Sequence, residues 1–295
     1  MNSTHARHML LPLAMSAMLA AAAASAGPSL IDQARAALGH GDTDAAIALL
    51  EKAVAQTPDN AEAHYVLASA YGTKAVEGGM LAGAKYGGKV LDENQKAAEL
   101  DPKFVEPRYS LVQVYASAPA MMGGSFDKAL EQAKVIQAID PVVGHRAYAF
   151  VYAKQNKPDL AKKEYLDAIR EQPTSAKAHS FFGQYLVNNE KNYAAAFTEF
   201  EAALKVDPAY MAAFYHLGRT AAQADSNLAR GEASMKKYLG YTPKPSEPPL
   251  ANANYWLGLV YEKEGKKAQA KASYEAALKL NPTLKDAAEA LKRVS

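Results

Sequence analysis

Residues 251–284 read ANANYWLGLVYEKEGKKAQAKASYEAALKLNPTL, and this stretch decides the fold. In its first half, Leu257, Gly258 and Tyr261 lie at a spacing that puts them on one face of a helix. Gly265 is expected to end that helix, because glycine readily adopts the left-handed conformation in which many helices terminate. The first half therefore predicts one helix followed by a glycine turn.

The second half of the same stretch predicts another helix. Ala270, Tyr274 and Ala277 recur at the spacing of one helical face, and the two alanines allow a neighbouring helix to approach closely. Pro282 interrupts the pattern, since proline lacks the backbone N–H that a helix interior needs. The whole stretch is therefore predicted to form a helical hairpin.

Similar hairpin patterns recur along the chain, and a proline is expected to end each helical stretch. The prolines concerned are Pro58, Pro102, Pro141, Pro173, Pro208 and Pro282. Their separations are 44, 39, 32, 35 and 74 residues, and the last of these is close to two units. Self-similarity at a period of about 34 residues indicates a solenoid of stacked hairpins rather than one globular core.

The pattern resembles the tetratricopeptide repeat family, and the resemblance covers nearly all of the chain after residue 26. Other copies of its first-helix signature are Leu67-Ala68, Phe182-Gly183 and Leu217-Gly218. The resemblance implies an all-α protein, a right-handed α-solenoid of about seven tetratricopeptide helix hairpins with a C-terminal capping helix. The expected units are residues 28–60, 61–104, 105–143, 144–175, 176–210, 211–250 and 251–284, with the cap at 285–295.

Residues 1–26 have the composition of an export signal. Arg7 precedes an apolar run from Met9 to Ala24, and Ala24-Ser25-Ala26 is a small-x-small cleavage site. We expect cleavage after Ala26, export to a bacterial periplasm and no stable membrane insertion of residues 27–295. The alternative is retention of the run as an anchor, although a spanning helix needs about 20 apolar residues. The chain has no cysteine to carry a lipid or a disulfide, which suits a periplasmic helical array.

The resemblance also implies where a ligand would bind. In this family the first helix of each hairpin lines the concave face, and residues two, five and nine places into a unit usually point into that groove. The candidate groove residues are Tyr65, Tyr109, Gln113, Arg146, Lys177, Phe181, Gln184, Tyr215, Arg219 and Tyr255. They imply a groove that grips an extended or helical peptide, in which Arg146, Lys177 and Arg219 meet a carboxylate.

Packing of the tyrosines against the next helix is the alternative role for the aromatic positions. The family's carboxylate clamp, which grips a chaperone C-terminus with Lys, Arg and Asn side chains, is not reproduced here because its asparagine partners are missing. That particular ligand is therefore not expected.

Two units exceed the period, and their extra residues are expected to form loops between the first and second helices. These loops would span residues 77–90 and 118–125, both rich in glycine and methionine. Their candidate site residues are Met80, Lys85, Lys89, Met121 and Met122. Lysines at a helix start suit an anion, and thioethers suit a soft metal such as copper(I). We expect instead that the methionines fill an irregular apolar gap against the first helices.

Three histidines, His64, His145 and His179, take the fourth place of their units. One hypothesis is that they bind a row of metal ions. Adjacent helices pack about 8–10 Å apart, whereas metal–nitrogen bonds are only about 2 Å long, so the imidazoles are not expected to converge on a metal. Packing or hydrogen bonding between helices is therefore the expected role.

The sequence as a whole favours a non-enzymatic periplasmic scaffold that binds a peptide or protein partner, in envelope biogenesis or complex assembly. It has no paired-carboxylate, nucleophile-elbow or zinc motif, so we expect no enzymatic activity, metal or cofactor. The formal net charge of +2 argues against nucleic acid. The alternatives are a small-ligand or metal-binding accessory protein that uses residues 77–90 and 118–125, and self-association into a homo-oligomer.

Overall fold

The chain folds as a succession of antiparallel helix pairs. A computed structural model describes residues 28–295, so the expected export signal at residues 1–26 lies outside the described residues. The helices are α1 (Leu30–Gly39), α2 (Thr43–Gln56), α3 (Ala61–Glu77), α4 (Gly79–Leu100), α5 (Val105–Ser117), α6 (Phe126–Ile139), α7 (Pro141–Lys154), α8 (Pro158–Glu171), α9 (Ala176–Tyr185), α10 (Tyr193–Val206), α11 (Met211–Ala224), α12 (Leu228–Leu239), α13 (Leu250–Lys263), α14 (Lys267–Leu280) and α15 (Lys285–Val294). Helices α1 to α14 form seven hairpins and α15 caps the last one, so the predicted all-α solenoid is confirmed.

Glycines on first helices set how closely the two helices of a hairpin approach. A Cβ atom at Gly183 would lie 2.6 Å from Cε1 of Phe200, and one at Gly258 would lie 2.6 Å from Cδ1 of Tyr274. Both aromatic rings come from the second helix of the same hairpin and are fully buried. The close approach of the two helices at Gly183 and Gly258 therefore requires the absence of a side chain.

Proline plays two different roles at the ends of the hairpins. All six recurring prolines follow the C-cap of a second helix, and Pro141 is in addition the first residue of α7. Asp140 caps that helix by accepting a hydrogen bond from the backbone N–H of Val143. A proline at this position costs no hydrogen bond, because the N–H that it lacks would have had no partner within the helix. The expected unit boundary at residue 143 is therefore wrong, since the fourth unit begins at Pro141.

The two inserted segments have different structures. Residues 79–100 form one helix, so the expected loop over residues 77–90 is wrong. Packing against α3 stabilises the helix despite its glycines: the ring centroid of Tyr86 lies 5.6 Å from that of Tyr71, and Val90 is buried in the same cluster. The second segment contains a single 3-10 turn at Ala120–Met122, after which Ser125 caps α6.

The histidines at the fourth places tie the two helices of their hairpins together. His64 Nδ1 lies 2.5 Å from Glu93 Oε2, and the Nδ1 atoms of His145 and His179 lie 2.7 Å from glutamate oxygens on α8 and α10. The expected hydrogen bonding between helices is therefore confirmed for all three histidines.

The two ends of the solenoid are in contact. His40 Nδ1, in the turn between α1 and α2, lies 3.0 Å from the backbone oxygen of Leu280 at the end of α14. A Cβ at Gly41 would lie 3.0 Å from the Cβ of Thr283, in the turn before α15. The proline-rich segment 243–249 lines a cavity together with α1 and α3. The seven hairpins thus form a closed ring whose inner face is lined by first helices.

Candidate functional site

A cavity of about 430 Å³ opens on the inner face of the ring, between α5, α7 and α9. Five of the predicted groove residues line it, namely Tyr109, Gln113, Arg146, Phe181 and Gln184. They come together because the fifth and ninth places of successive units recur on the same face of neighbouring first helices. The lining also includes Lys154 and contains no aspartate or glutamate. Its net charge is therefore positive.

Arg146 lines this cavity and lies between two aromatic rings. Its guanidinium carbon is 4.7 Å from the ring centroid of Tyr109 and 4.3 Å from that of Phe181. Within residues 28–295, no carboxylate oxygen lies within 4 Å of its nitrogens. Attraction between the cation and the ring faces holds the side chain in place. The result is a fixed positive charge whose edge N–H groups remain available to an anionic group.

Arg219 brings a second guanidinium to the same region. It lies over the ring of Trp256, with 5.6 Å between the guanidinium carbon and the ring centroid. Its Nη2 donates to Oδ1 of Asn188 at 3.1 Å, and Asn188 lines the cavity. The Nε atom is buried and has no hydrogen-bond partner among the described residues. Arg219 is therefore connected to the cavity through an amide rather than neutralised by a carboxylate.

A π-helical turn presents two asparagines to the cavity. The turn spans Leu186–Glu190, directly after α9, and Asn188 and Asn189 both line the cavity. Such wide turns are rare and occur frequently at functional sites. The helical period contains no signal for this turn, so the sequence analysis missed these asparagines. They lie in the turn after α9 rather than at the first-helix places of the family's carboxylate clamp, so the clamp asparagines remain missing.

The other predicted groove residues lie elsewhere. Lys177 forms an ion pair with Asp140, with 2.8 Å between Nζ and Oδ2. Tyr215 is only 5 % exposed and packs in the core. Tyr255 packs against Trp256, and Tyr65 packs against Phe104 beside the proline-rich segment. For Tyr215, packing against neighbouring helices is the role that the structure shows.

The candidate residues of the inserted segments do not converge on a site. The side chains of Met80 and Met121 are 90 % and 93 % exposed, so they do not fill an apolar gap as expected. Helix α4 begins at Gly79, which removes the helix start expected beside Lys85 and Lys89. Lys89 instead lies over the ring of Tyr71, 4.6 Å from its centroid.

Met122 is about half exposed, in the 3-10 turn beside Met121. Residues 28–295 contain no cluster of three His, Cys, Asp or Glu side chains able to hold a metal ion.

Titratable groups near the cavity keep its charge constant. Burial, together with the smaller effects of the Arg219 and Arg146 charges, lowers the pKa of His216 to about 3, so this imidazole is neutral. Burial raises the pKa of Tyr109, with a smaller opposing effect from Arg146. Both side chains are therefore uncharged near neutral pH, and the arginines dominate the electrostatics.

Comparison with solved structures shows the same fold in larger proteins. Yeast Tom70 is 14% identical, with a TM-score of 0.54 over 86% of this chain and 58% of its own. The human IFIT1 dimer with PPP-AAAA is 22% identical, with a TM-score of 0.53 over 90% of this chain and 62% of its own. This chain thus spans about three fifths of either protein. A tetratricopeptide repeat protein from Parabacteroides merdae is 16% identical over 90% of this chain and 97% of its own, with a TM-score of 0.48.

Sequence comparison identifies the family. No curated protein matches the chain. Two sequence models described as tetratricopeptide repeat do match, one at residues 31–77 and 182–248 and the other at residues 251–284. These matches together cover half of the sequence, and the remaining hairpins repeat the same architecture. The chain therefore belongs to the tetratricopeptide repeat family.

Proposed function

We propose that this protein is a non-enzymatic scaffold that binds a peptide or protein partner on the inner face of its ring. The tetratricopeptide fold is typical of scaffolds for protein–protein interaction. The observation that carries the proposal is Arg146, a cation clamped between Tyr109 and Phe181 with no carboxylate beside it among the described residues. A clamped and unpaired cation is prepared for an anionic group from outside, because its side-chain entropy is already lost.

The chemistry of the cavity indicates the kind of segment that would bind. Gln113, Gln184 and the two asparagines of the π-helical turn supply amide donors and acceptors for a peptide backbone. Arg146 would meet an acidic side chain or a terminal carboxylate, and the aromatic rings would cover apolar parts. A volume of about 430 Å³ holds a short segment rather than a folded domain. The partner we propose is therefore an extended or helical peptide with a carboxylate.

Site-specific crosslinking in cells tests this function. A photoreactive residue at Gln113 or Asn189, both exposed in the cavity, should capture a polypeptide. The same residue at Lys271, exposed on the second helix α14, is the matched control and should not. Adding Arg146→Gln should reduce capture at the cavity by about tenfold or more. Capture of the same strength from Lys271, or capture that Arg146→Gln leaves undiminished, would contradict the proposal.

We also propose that the protein acts after export to the periplasm. The support is the apolar run Met9–Ala24 with its small-residue site, which resembles a secretion signal. Within residues 28–295, no helix is both long and apolar enough to span a bilayer. Fractionation of a bacterial host followed by N-terminal sequencing should find a periplasmic chain that begins at Gly27. Recovery of a cytosolic chain with its first residues intact would contradict it.

A further inference from the structure

The hairpin of α3 and α4 projects beyond its neighbours. Helix α4 has 22 residues, whereas the second helices α2, α6, α8, α10 and α14 have 14 each. Eight additional residues at 1.5 Å each extend α4 by about 12 Å. Gly79, with a φ of +64°, reverses the chain at the tip of this projection. The family period does not require the extension, so it is a separate feature of this chain.

The tip of the projection exposes large apolar side chains. Val76, Met80 and Leu81 are 84 %, 90 % and 85 % exposed, although they lie within six residues of one another. Single exposed apolar residues are common on soluble proteins, but a group of them on a protruding feature marks an interaction site. None of the three lines either large cavity of the inner face. The tip is therefore a contact surface separate from the groove.

The charges behind the tip are basic. Lys85 and Lys89 follow Leu81 at intervals of one helical turn, and among the described residues neither forms an ion pair. The nearby acid Glu77 is directed towards α2, where it accepts a hydrogen bond from Thr43 at 3.1 Å. The tip thus combines a convex apolar end with a flank of unneutralised lysines.

We propose that this tip is a reversible contact for an anionic membrane surface. Apolar side chains of interfacial helices enter the headgroup region by about 5–10 Å, and flanking lysines meet lipid phosphates. Helix α3 is three residues longer than the first helix α7, which adds about 4.5 Å, and the extension of α4 adds about 12 Å, so the tip can enter the headgroup region while the ring stays in water. A protein partner would need a concave counterpart, whereas a bilayer accepts a convex apolar end of any shape. The contact is peripheral and involves no spanning segment.

Vesicle flotation of residues 28–295 tests the proposal. The protein should float with vesicles that contain phosphatidylglycerol and phosphatidylcholine, and much less with phosphatidylcholine alone. The double variant Met80→Gln/Leu81→Gln should lower the partition coefficient by about tenfold or more, equivalent to about 1.4 kcal/mol. The variant Lys85→Gln/Lys89→Gln should weaken binding and remove most of its dependence on salt.

Met121→Gln is the matched control. Met121 is as exposed as Met80, but its 3-10 turn contacts α4 near Leu91, eleven residues or about 16 Å behind the tip. This variant should bind vesicles like the unmodified protein, and circular dichroism should show all variants folded. Absence of flotation, or an equal loss with Met121→Gln, would overturn the proposal. Light scattering gives a further outcome that would overturn it. If the protein were a dimer and Met80→Gln/Leu81→Gln dissociated that dimer, the tip would be a self-association surface.

Discussion

Replacing Gly258 by alanine should destabilise the last hairpin, although alanine is the better helix former. The added methyl group would lie 2.6 Å from Cδ1 and 3.0 Å from Cζ of Tyr274. That ring has no room to move, because it is fully buried and its hydroxyl donates to Oε2 of Glu262 at 2.6 Å. The substitution therefore tests whether a fixed aromatic ring explains the glycine.

The expected magnitude follows from two opposing effects. Overpacking a well-packed core costs about 1–3 kcal/mol, and the pinned ring puts this site in the upper part of that range. Replacement of glycine by alanine inside a helix gains about 1 kcal/mol. The net result should be a loss of about 1–2 kcal/mol in the free energy of unfolding.

Gly88→Ala is the matched control, because Gly88 lies inside α4 and an added Cβ there would meet nothing within 4 Å. It should raise stability by about 0.5–1 kcal/mol. Urea unfolding measures both variants, with the fluorescence of Trp256, the only tryptophan of the chain, reporting on the last hairpin. If Gly258→Ala were as stable as the unmodified protein, the proposed role of Tyr274 would be wrong.

Three further outcomes can be checked. Arg146→Gln should reduce partner capture by about tenfold or more, because a hydrogen bond to a charged group contributes about 1.5–3 kcal/mol. The circular dichroism spectrum of this variant should stay unchanged. The hydrogen bond to Glu199 raises the pKa of His179 above 6.5, so its contribution to stability is complete below pH 6.5 and is lost as pH rises through the folded-state pKa. Urea midpoints should show that decline, and the decline should be smaller in His179→Gln. Although burial opposes it, hydrogen bonds to Glu164 and Glu171 also raise the pKa of His145, so His145 contributes to the same decline. Gly41→Ala should separate the ring ends, and distances between spin labels on the first and last hairpins should lengthen.

Each of these predictions has its own control. Arg170→Gln removes an arginine that pairs with Asp167 on α8, so it should leave partner capture unchanged. A pH dependence that is undiminished in His179→Gln would assign it to other groups. The spin labels can be placed at Ala48 and Lys279, both exposed, because the chain has no native cysteine to compete. Unchanged distances in Gly41→Ala would show that the end contact is not held at this turn.

The sequence predicted those features that depend on periodicity. Leu257, Gly258 and Tyr261 identify a hairpin because apolar spacing alone selects the buried face of a helix. The resemblance to the tetratricopeptide repeat family placed Tyr109, Arg146 and Phe181 in one groove, and the structure puts them in contact. Whether they bind a partner is the proposal tested above.

Features that depend on distant contacts were not predictable. Residues 79–90 are helical although their glycines have poor helix propensity, and contacts of Tyr86 and Val90 with α3 stabilise them. The π-helical turn that presents Asn188 has no distinct period. Closure of the ring depends on small rotations between hairpins that add up over seven units, and no single stretch of sequence encodes that total.

Closure of the ring has a consequence for the rate of binding. An extended polypeptide reaches the inner face either by threading one of its ends through the ring or after the contact between His40 and Leu280 opens. In the second case opening is a first-order step that precedes association. The observed association rate should then level off at high partner concentration, at the frequency with which the ends separate. A partner with folded domains at both termini would depend entirely on that step, and would also leave slowly once the ends had closed behind it.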